Sequence, residues 1–420
     1  MINLIRQLGN PTNKDLRKRV WFTLGVLLFY AIGTHIARLG SASFTKELTS
    51  AQLLAVYAGG GLQPHSIFGL GVAPYISASI IMQILQTDII PYFKELKEQG
   101  YTGRQKLNMI TRYLGIFLAF VQGYAFSFYF MKDAGAAAIM NSTIVLTGGT
   151  CLLIWLGDQI SKKGIGNGLS LIIMAGILNT MPNMYITAFN TLISKGSNTW
   201  IGIGSFALYV IMNLAIIIGI VWVQLAERRI PIQYSNRTNS AYGGQQTYLP
   251  IKLNASGVMP VIFASSLLGV PAILAGFIEN KGFVDFVNKY LTYTQPIGFI
   301  VYIVLIGLFG YFYTVMQMNP KEMAKNLNQN GGYIPGIRPG DDTDNYIKSI
   351  IKKISIFGTL FLIIIASTPI IFSKISNLPD SVTLGGTGLL IVVGVAIETY
   401  RQLESSIVSR SYKTKKRGRR

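Results

Sequence analysis

The sequence predicts an all-α polytopic membrane protein with ten transmembrane helices. Half of its 420 residues are hydrophobic, only 13% are charged and the mean hydropathy is +0.42, a balance that one soluble core cannot bury. Ten stretches without Asp, Glu, Lys or Arg are long enough to cross about 30 Å of hydrocarbon. They lie at residues 20–37, 67–87, 113–131, 134–157, 164–194, 197–226, 253–278, 290–320, 354–373 and 381–397.

The distribution of positive charge predicts the orientation of these spans. If the N-terminus is cytoplasmic, 30 of the 37 lysines and arginines lie before the first span, in the cytoplasmic loops or from Arg401 onward. Cytoplasmic loops of membrane proteins carry such an excess of Lys and Arg. The sequence therefore predicts that both termini are cytoplasmic. The basic residues before the first span are also typical of a signal peptide, but no small-residue cleavage site follows, so we expect a retained helix.

The second span begins with residues that disfavour a helix. Gly69 and Gly71 each lower helix propensity by about 1 kcal/mol, and an interior proline such as Pro74 lowers it by about 3 kcal/mol. We expect a short, loosely held half-helix that leads into a firm one. Irregular backbone at membrane depth is tolerated only where it is buried in protein or lines a cavity. The pattern therefore indicates a pathway through the membrane at this point.

Ten spans divide into two groups of five, and because five is odd the second group begins on the opposite side of the membrane. We therefore predict two inverted halves with a functional path between them, over residues 1–195 and 196–403, followed by a basic tail over 404–420. The loops at 227–252 and 319–353 are long, basic and rich in Gly and Pro. Such loops are typical of docking surfaces, although they could equally serve only the positive-inside topology.

Several kinds of chemistry find no support in the sequence. The chain has a single cysteine, Cys151, two isolated histidines, His35 and His65, and no His-Glu-x-x-His motif, and Asp158 at a span end has no evident mate. We therefore expect no catalytic residue, no metal site and no cofactor. A secondary transporter with inverted repeats remains the alternative, but such proteins usually place carboxylates near the midplane, and the ten spans contain none.

Several motifs resemble those of the SecY family of protein-conducting channels, and they occur in the family order. They are PYISASI at 74–80, WLGDQI at 155–160, GIGNG at 164–168, LP at 249–250, PVIFASS at 260–266, NPKE at 319–322, GYIPGIRPG at 332–340 and GGT at 385–387. The resemblance implies an hourglass channel in the bacterial plasma membrane. Such a channel passes unfolded secretory polypeptides across the membrane and releases hydrophobic segments sideways into it.

The resemblance also implies a pore ring, a constriction of aliphatic side chains that excludes ions because water leaves it. Two pairs of its members have i,i+4 spacing, so each pair shares one face of a helix. Without the resemblance, ordinary core packing would be the better interpretation of these residues. By motif correspondence the pore ring comprises Ile76, Ile80, Leu169, Ile173, Ile262 and Ile391.

Further sites follow from the same resemblance. A plug over residues 62–70 would close the outer side, and the second and seventh spans would form a lateral gate with Gln122 and Asn254 as polar lining, although structural packing explains either amide equally well. Arg338, Arg228 and Arg229 would dock the SecA motor ATPase or the ribosome. SecE, SecG, signal peptides, nascent polypeptides and anionic lipids are the other implied partners. The plug includes Ser66, Ile67, Phe68, Gly69 and Leu70.

The chain departs from the usual family pattern in two loops. Residues 36–40 read IARLG where a proline-rich turn is common, and residues 103–106 read GRQK where adjacent arginines are usual. These departures leave open an accessory family member that serves special substrates.

Overall fold

The computed structural model describes residues 14–37, 66–86, 90–131, 135–194, 199–234, 247–277, 281–292, 295–376 and 378–417. A helix coincides with each of the ten predicted spans. In chain order the helices are α1 (Lys14–Thr34), α2 (Ala73–Leu85), α3 (Pro91–Glu98), α4 (Tyr101–Phe130), α5 (Ala136–Lys163), α6 (Gly168–Phe189), α7 (Thr199–Leu225), α8 (Met259–Phe277), α9 (Lys281–Phe286), α10 (Pro296–Gln317), α11 (Pro320–Gln329), α12 (Asp341–Ile375) and α13 (Asp380–Arg417).

Short π-helical segments follow α6, at Asn190–Ser194, and α9, at Val287–Leu291. Within the described ranges, six helices are individually long and apolar enough to cross a membrane, and shorter apolar helices lie at Ala73–Leu85 and Met259–Gly269. The lengths of the apolar stretches in the sequence therefore predict the positions of the membrane helices.

Two of the predicted spans begin later than expected. Residues 67–72 form consecutive turns, and α2 begins only at Ala73 with Pro74 in its first turn, where the missing N–H of proline leaves no hydrogen bond broken. The predicted half-helix is therefore wrong for residues 66–70, whereas residues 62–65 lie outside the described residues. Similarly, residues 253–258 form bends and turns before α8 begins at Met259.

Each half has its own helix packing, and the halves meet along two seams. In the first half α4 packs on α2 and α5, and in the second half α10 packs on α8 and α12. One seam joins α6 to α13, and the other joins α2 and α4 to α8. A central hydrophobic cluster draws buried residues from both halves, whereas a second cluster lies within the second half around Ile220 and Ile306.

The two long loops fold together, which the sequence analysis did not predict. Strands β1 (Glu227–Tyr234), β2 (Thr247–Lys252) and β3 (Gly332–Tyr333) form an antiparallel sheet in the order β2-β1-β3. Together with α11 and the start of α12 they enclose a hydrophobic core that includes Ile230, Ile251, Leu327 and Ile347. We call this unit, over residues 227–234, 247–252 and 320–354, the platform. The chain is mostly helical as predicted, and the platform adds this small sheet.

Another hydrophobic cluster joins the two halves near the start of α1. Leu16 of α1, Ile165 of the turn between α5 and α6, and Ile407 of α13 are buried against one another. The Ile165 N–H donates to Thr23 Oγ1 at 3.1 Å, which fixes the turn to α1. The predicted boundary of the basic tail at residue 404 falls inside α13, which continues to Arg417.

Candidate functional site

The six residues of the predicted pore ring converge at the centre of the molecule. Ile76, Ile173, Ile262 and Ile391 are buried members of one hydrophobic cluster, and Ile80 and Leu169 pack against it. These side chains come from α2, α6, α8 and α13 and therefore from both halves. The structure brings the six residues together, while their role as a seal remains a prediction.

The predicted plug lies against the same cluster. We call residues 66–72 the plug segment. Phe68 and Val72 are buried members of the central cluster, and the Phe68 ring stacks on Tyr30 of α1 at a centroid distance of 5.9 Å. Gly33 of α1 makes this possible, because a Cβ there would lie 2.1 Å from the Phe68 ring. Helix α1 therefore holds one side of the plug segment.

Helix α5 holds the other side. Thr150 Oγ1 donates to the Gly71 carbonyl oxygen at 3.1 Å, and a Cβ at Gly149 would lie 2.3 Å from the Ile67 carbonyl oxygen. The segment is therefore well packed, contrary to the expectation of a loosely held piece. One feature opposes this packing, because Ser66 is 2% exposed and its hydroxyl has no hydrogen-bond partner among the described residues. An unsatisfied buried group costs about 1–3 kcal/mol.

A cavity of 570 Å³ opens on the platform side of the pore ring. All of the pore ring except Ile80 lines it, and the wall above is rich in amides that the sequence analysis did not identify. Five of the six lie near a helix end and Asn108 lies two turns into α4, and an isolated polar residue at such a position gives no signal in the sequence. Amides both donate and accept hydrogen bonds, so the wall can exchange partners with a polypeptide of any sequence. The amides are Gln83, Gln86, Asn108, Asn167, Gln224 and Gln317.

The seam between α2, α4 and α8 is closed, and its two predicted amides differ in position. Asn254 lines the cavity and is 6% exposed. Its Nδ2 donates to the Gly257 carbonyl oxygen, and its Oδ1 accepts from Ser256 Oγ, both at 3.1 Å. Asn254 therefore shapes the turn that leads into α8. Gln122 is half-buried on α4 and is not among the described residues that line the cavity.

All three predicted docking arginines are exposed on the platform. Arg338 lies in the turn between β3 and α12, and its carbonyl oxygen accepts a hydrogen bond from Thr343 Oγ1 at 2.8 Å. Arg229 Nε donates to Glu227 at 2.9 Å, and its guanidinium stacks on Tyr248 at 4.7 Å. Because successive side chains of a strand point to opposite faces, Arg228 and Arg229 cannot meet one flat partner together.

Asp158 has a mate, contrary to the sequence analysis. Its carboxylate accepts a hydrogen bond from the Arg112 guanidinium and forms an ion pair with it, joining α4 to α5. The two residues are 46 positions apart in the sequence, so no local pattern could reveal the pair. The contact ties two helices of the first half together.

The part of the chain that carries these motifs matches a known protein family. The family model described as SecY matches residues 66–400. The chain belongs to the SecY family. A curated relative, the protein translocase subunit SecY of Halalkalibacterium halodurans, is 43% identical over 414 residues, which is 95% of this chain and 96% of the relative.

Two solved structures have the same fold. One is described as "The structure of a protein conducting channel", with a TM-score of 0.70 and 23% identity over 94% of this chain and 93% of that chain. The other is "Sec61 in the Canine ribosome-channel complex from the endoplasmic reticulum", with a TM-score of 0.68 and 21% identity over the same shares. The resemblance to SecY and the predicted ten-span channel fold are therefore confirmed. The SecY family consists of channel proteins and not of enzymes.

Proposed function

We propose that this chain is the pore-forming subunit of a protein translocase in the bacterial plasma membrane. It conducts unfolded secretory polypeptides across the membrane and releases transmembrane segments sideways into it. The observation that carries this proposal is the convergence of six aliphatic side chains from both halves beneath a polar cavity. An apolar constriction excludes hydrated ions by dewetting, yet flexible side chains can move apart around a polypeptide.

The described contacts support a route for the polypeptide. The chain enters the amide-lined cavity, passes the pore ring and displaces the plug segment, whose unsatisfied Ser66 hydroxyl opposes its packing. A hydrophobic segment leaves instead between α2 and α8, which pack on each other across the seam between the halves. The turn at Asn254 connects β2 of the platform directly to α8. The platform therefore holds the start of α8, which is one of the two helices of the proposed lateral gate.

The platform is the docking surface for the energy source in this proposal. It lies on the cytoplasmic side, as do both termini, in agreement with the distribution of Lys and Arg. SecA or the ribosome binds there, with Arg338 displayed on a turn that Thr343 fixes; the ribosome is also a partner of the Sec61 channel named above. SecE and SecG are the small subunits. The exposed Arg17, Lys18 and Arg19 of α1 bind anionic lipid headgroups.

Replacing the host's own SecY tests the proposal most directly. In a strain that depends on regulated expression of its SecY, this chain should restore growth and export of a secreted reporter after depletion. Absence of any export, despite stable insertion of the chain and assembly with SecE, would contradict the proposed general role and favour an accessory member of the family.

A further inference from the structure

The cavity mouth carries few charges. Among the described residues that line the cavity, only Lys252, Glu398 and Arg401 are charged, and the remaining lining is polar or apolar. A single carboxylate at the mouth of an otherwise neutral, amide-rich cavity is conspicuous, because the chain has a formal net charge of +20. The carboxylate of Glu398 therefore stands out as the one acidic group that a substrate meets there.

One of the two cations of the mouth, Arg401, already has a hydrogen-bond partner. Arg401 donates from Nη2 to the Gln224 carbonyl oxygen at the end of α7, at 3.2 Å, where a helix carries partial negative charge. The other cation, Lys252, is the last residue of β2 and belongs to the platform. Glu398 forms no hydrogen bond or ion pair with any residue that the structure describes, and it is exposed. The Glu398 carboxylate is therefore available to a cation that enters the cavity from the platform side.

The position of Glu398 on α13 relates it to the pore ring. Ile391, Val395 and Glu398 all line the cavity, and their spacing of four and seven residues places them on one face of the helix. Seven residues of α-helix rise about 10 Å. A polypeptide whose cationic end lies at Glu398 therefore has its following residues at the pore ring and at the seam between α2 and α8.

A secretory signal peptide has this order of groups, because a positively charged segment precedes an apolar segment of 7–15 residues. We propose that Glu398 binds the basic segment of the signal peptide and so sets the depth at which the apolar segment meets the gate. This inference rests on the proposed function and adds a residue that selects substrates by charge. A solvent-exposed pair of this kind is weak, so we expect an effect of about two- to five-fold on the export rate.

The test compares two signal peptides in vesicles that contain the full chain with its partners. One carries its natural lysines and the other carries glutamine at the same positions. Glu398→Gln should slow export of the basic version about two- to five-fold and leave the glutamine version unchanged. Glu404→Gln is the matched control, because Glu404 is an exposed glutamate of the same helix that does not line the cavity, and it should affect neither.

A disulfide measurement supports the test independently of rates. In a Cys151→Ala background, Glu398→Cys should cross-link to a cysteine beside the basic segment and not to one in the centre of the apolar segment. Equal slowing of both signal peptides by Glu398→Gln, no slowing of either, or cross-linking to the apolar centre would overturn the inference. If the unsubstituted chain exports neither peptide's cargo, the proposed function fails instead, so the two failures are distinguishable.

Discussion

Replacing Ile251 with Ala tests whether the platform is a separate folding unit. Ile251 of β2 is fully buried, with an exposed fraction of 0%, in the core that the two long loops share with α11 and α12. Truncation of a buried isoleucine to alanine costs about 2–5 kcal/mol, because transfer energy is lost and a cavity remains. The membrane helices have their own hydrophobic clusters, so we expect this loss to fall on the platform alone.

The size of the effect follows from the small core. A core of this size supplies about 3–5 kcal/mol, and each 1.4 kcal/mol changes an equilibrium constant tenfold. The equilibrium constant for opening of the platform should therefore rise by about 30-fold to about 4,000-fold. Because Arg338 is displayed on the same unit, the apparent affinity for the motor should fall in proportion to the fraction of the platform that remains folded.

Hydrogen exchange and limited proteolysis in membrane vesicles measure this opening. Amides of β1 and β2 should lose protection in the Ile251→Ala variant, while amides of α5 and α7 keep it. Ile375→Ala is the matched control, because it removes the same atoms from a side chain that is 76% exposed. Unchanged protection of the strands, or simultaneous loss of protection in the membrane helices, would refute the reasoning that the platform opens by itself.

Three further predictions concern docking, topology and the plug. Arg338→Glu should reduce SecA binding and motor-driven export in reconstituted vesicles without reducing insertion, because an exposed residue contributes little to stability; unchanged binding would exclude the docking role. In a Cys151→Ala background, an impermeant thiol reagent added outside should label Lys281→Cys and not Arg338→Cys, and the reverse pattern would invert the topology. Gly149→Ala should displace the plug segment and permit export with defective signal peptides, because a Cβ there lies 2.3 Å from a plug carbonyl oxygen. Gly148→Ala, with nothing within 4 Å, should not, and equal behaviour of the two variants would show that this contact does not hold the plug.

The membrane helices could be predicted from the sequence because the hydrocarbon imposes a minimum apolar length on each span. The platform could not, because its sheet pairs residues far apart in the chain. Gln233 of β1 lies opposite Tyr333 of β3, and the Tyr333 hydroxyl donates to Gln233 at 2.9 Å across 100 positions. Strands β1 and β2 each contain a proline and β3 has only two residues, so the local pattern indicates a turn-rich loop.

The candidate site was predictable to different degrees for physical reasons. The pore ring could be named only through the resemblance, since buried aliphatic residues such as Ile262 look alike everywhere in a membrane protein. The ion pair between Arg112 and Asp158 joins two different helices. The spacing of residues within one span therefore cannot predict it. The packing of the plug segment depends on Gly33 and Gly149, whose importance lies in what approaches them and not in their own propensity.

The central claim is that the aliphatic cluster seals a channel, and resting conductance in planar bilayers tests it most directly. The double variant Ile76→Ser and Ile391→Ser places hydroxyls from both halves in the cluster and should hydrate it. The control, Ile218→Ser with Ile364→Ser, makes the same change at side chains that are 69% and 53% exposed on the membrane helices. The account predicts ion conductance without a substrate in the first variant only. Equal, near-zero conductance in both variants, with both still correctly folded, would contradict it and make these residues ordinary packing.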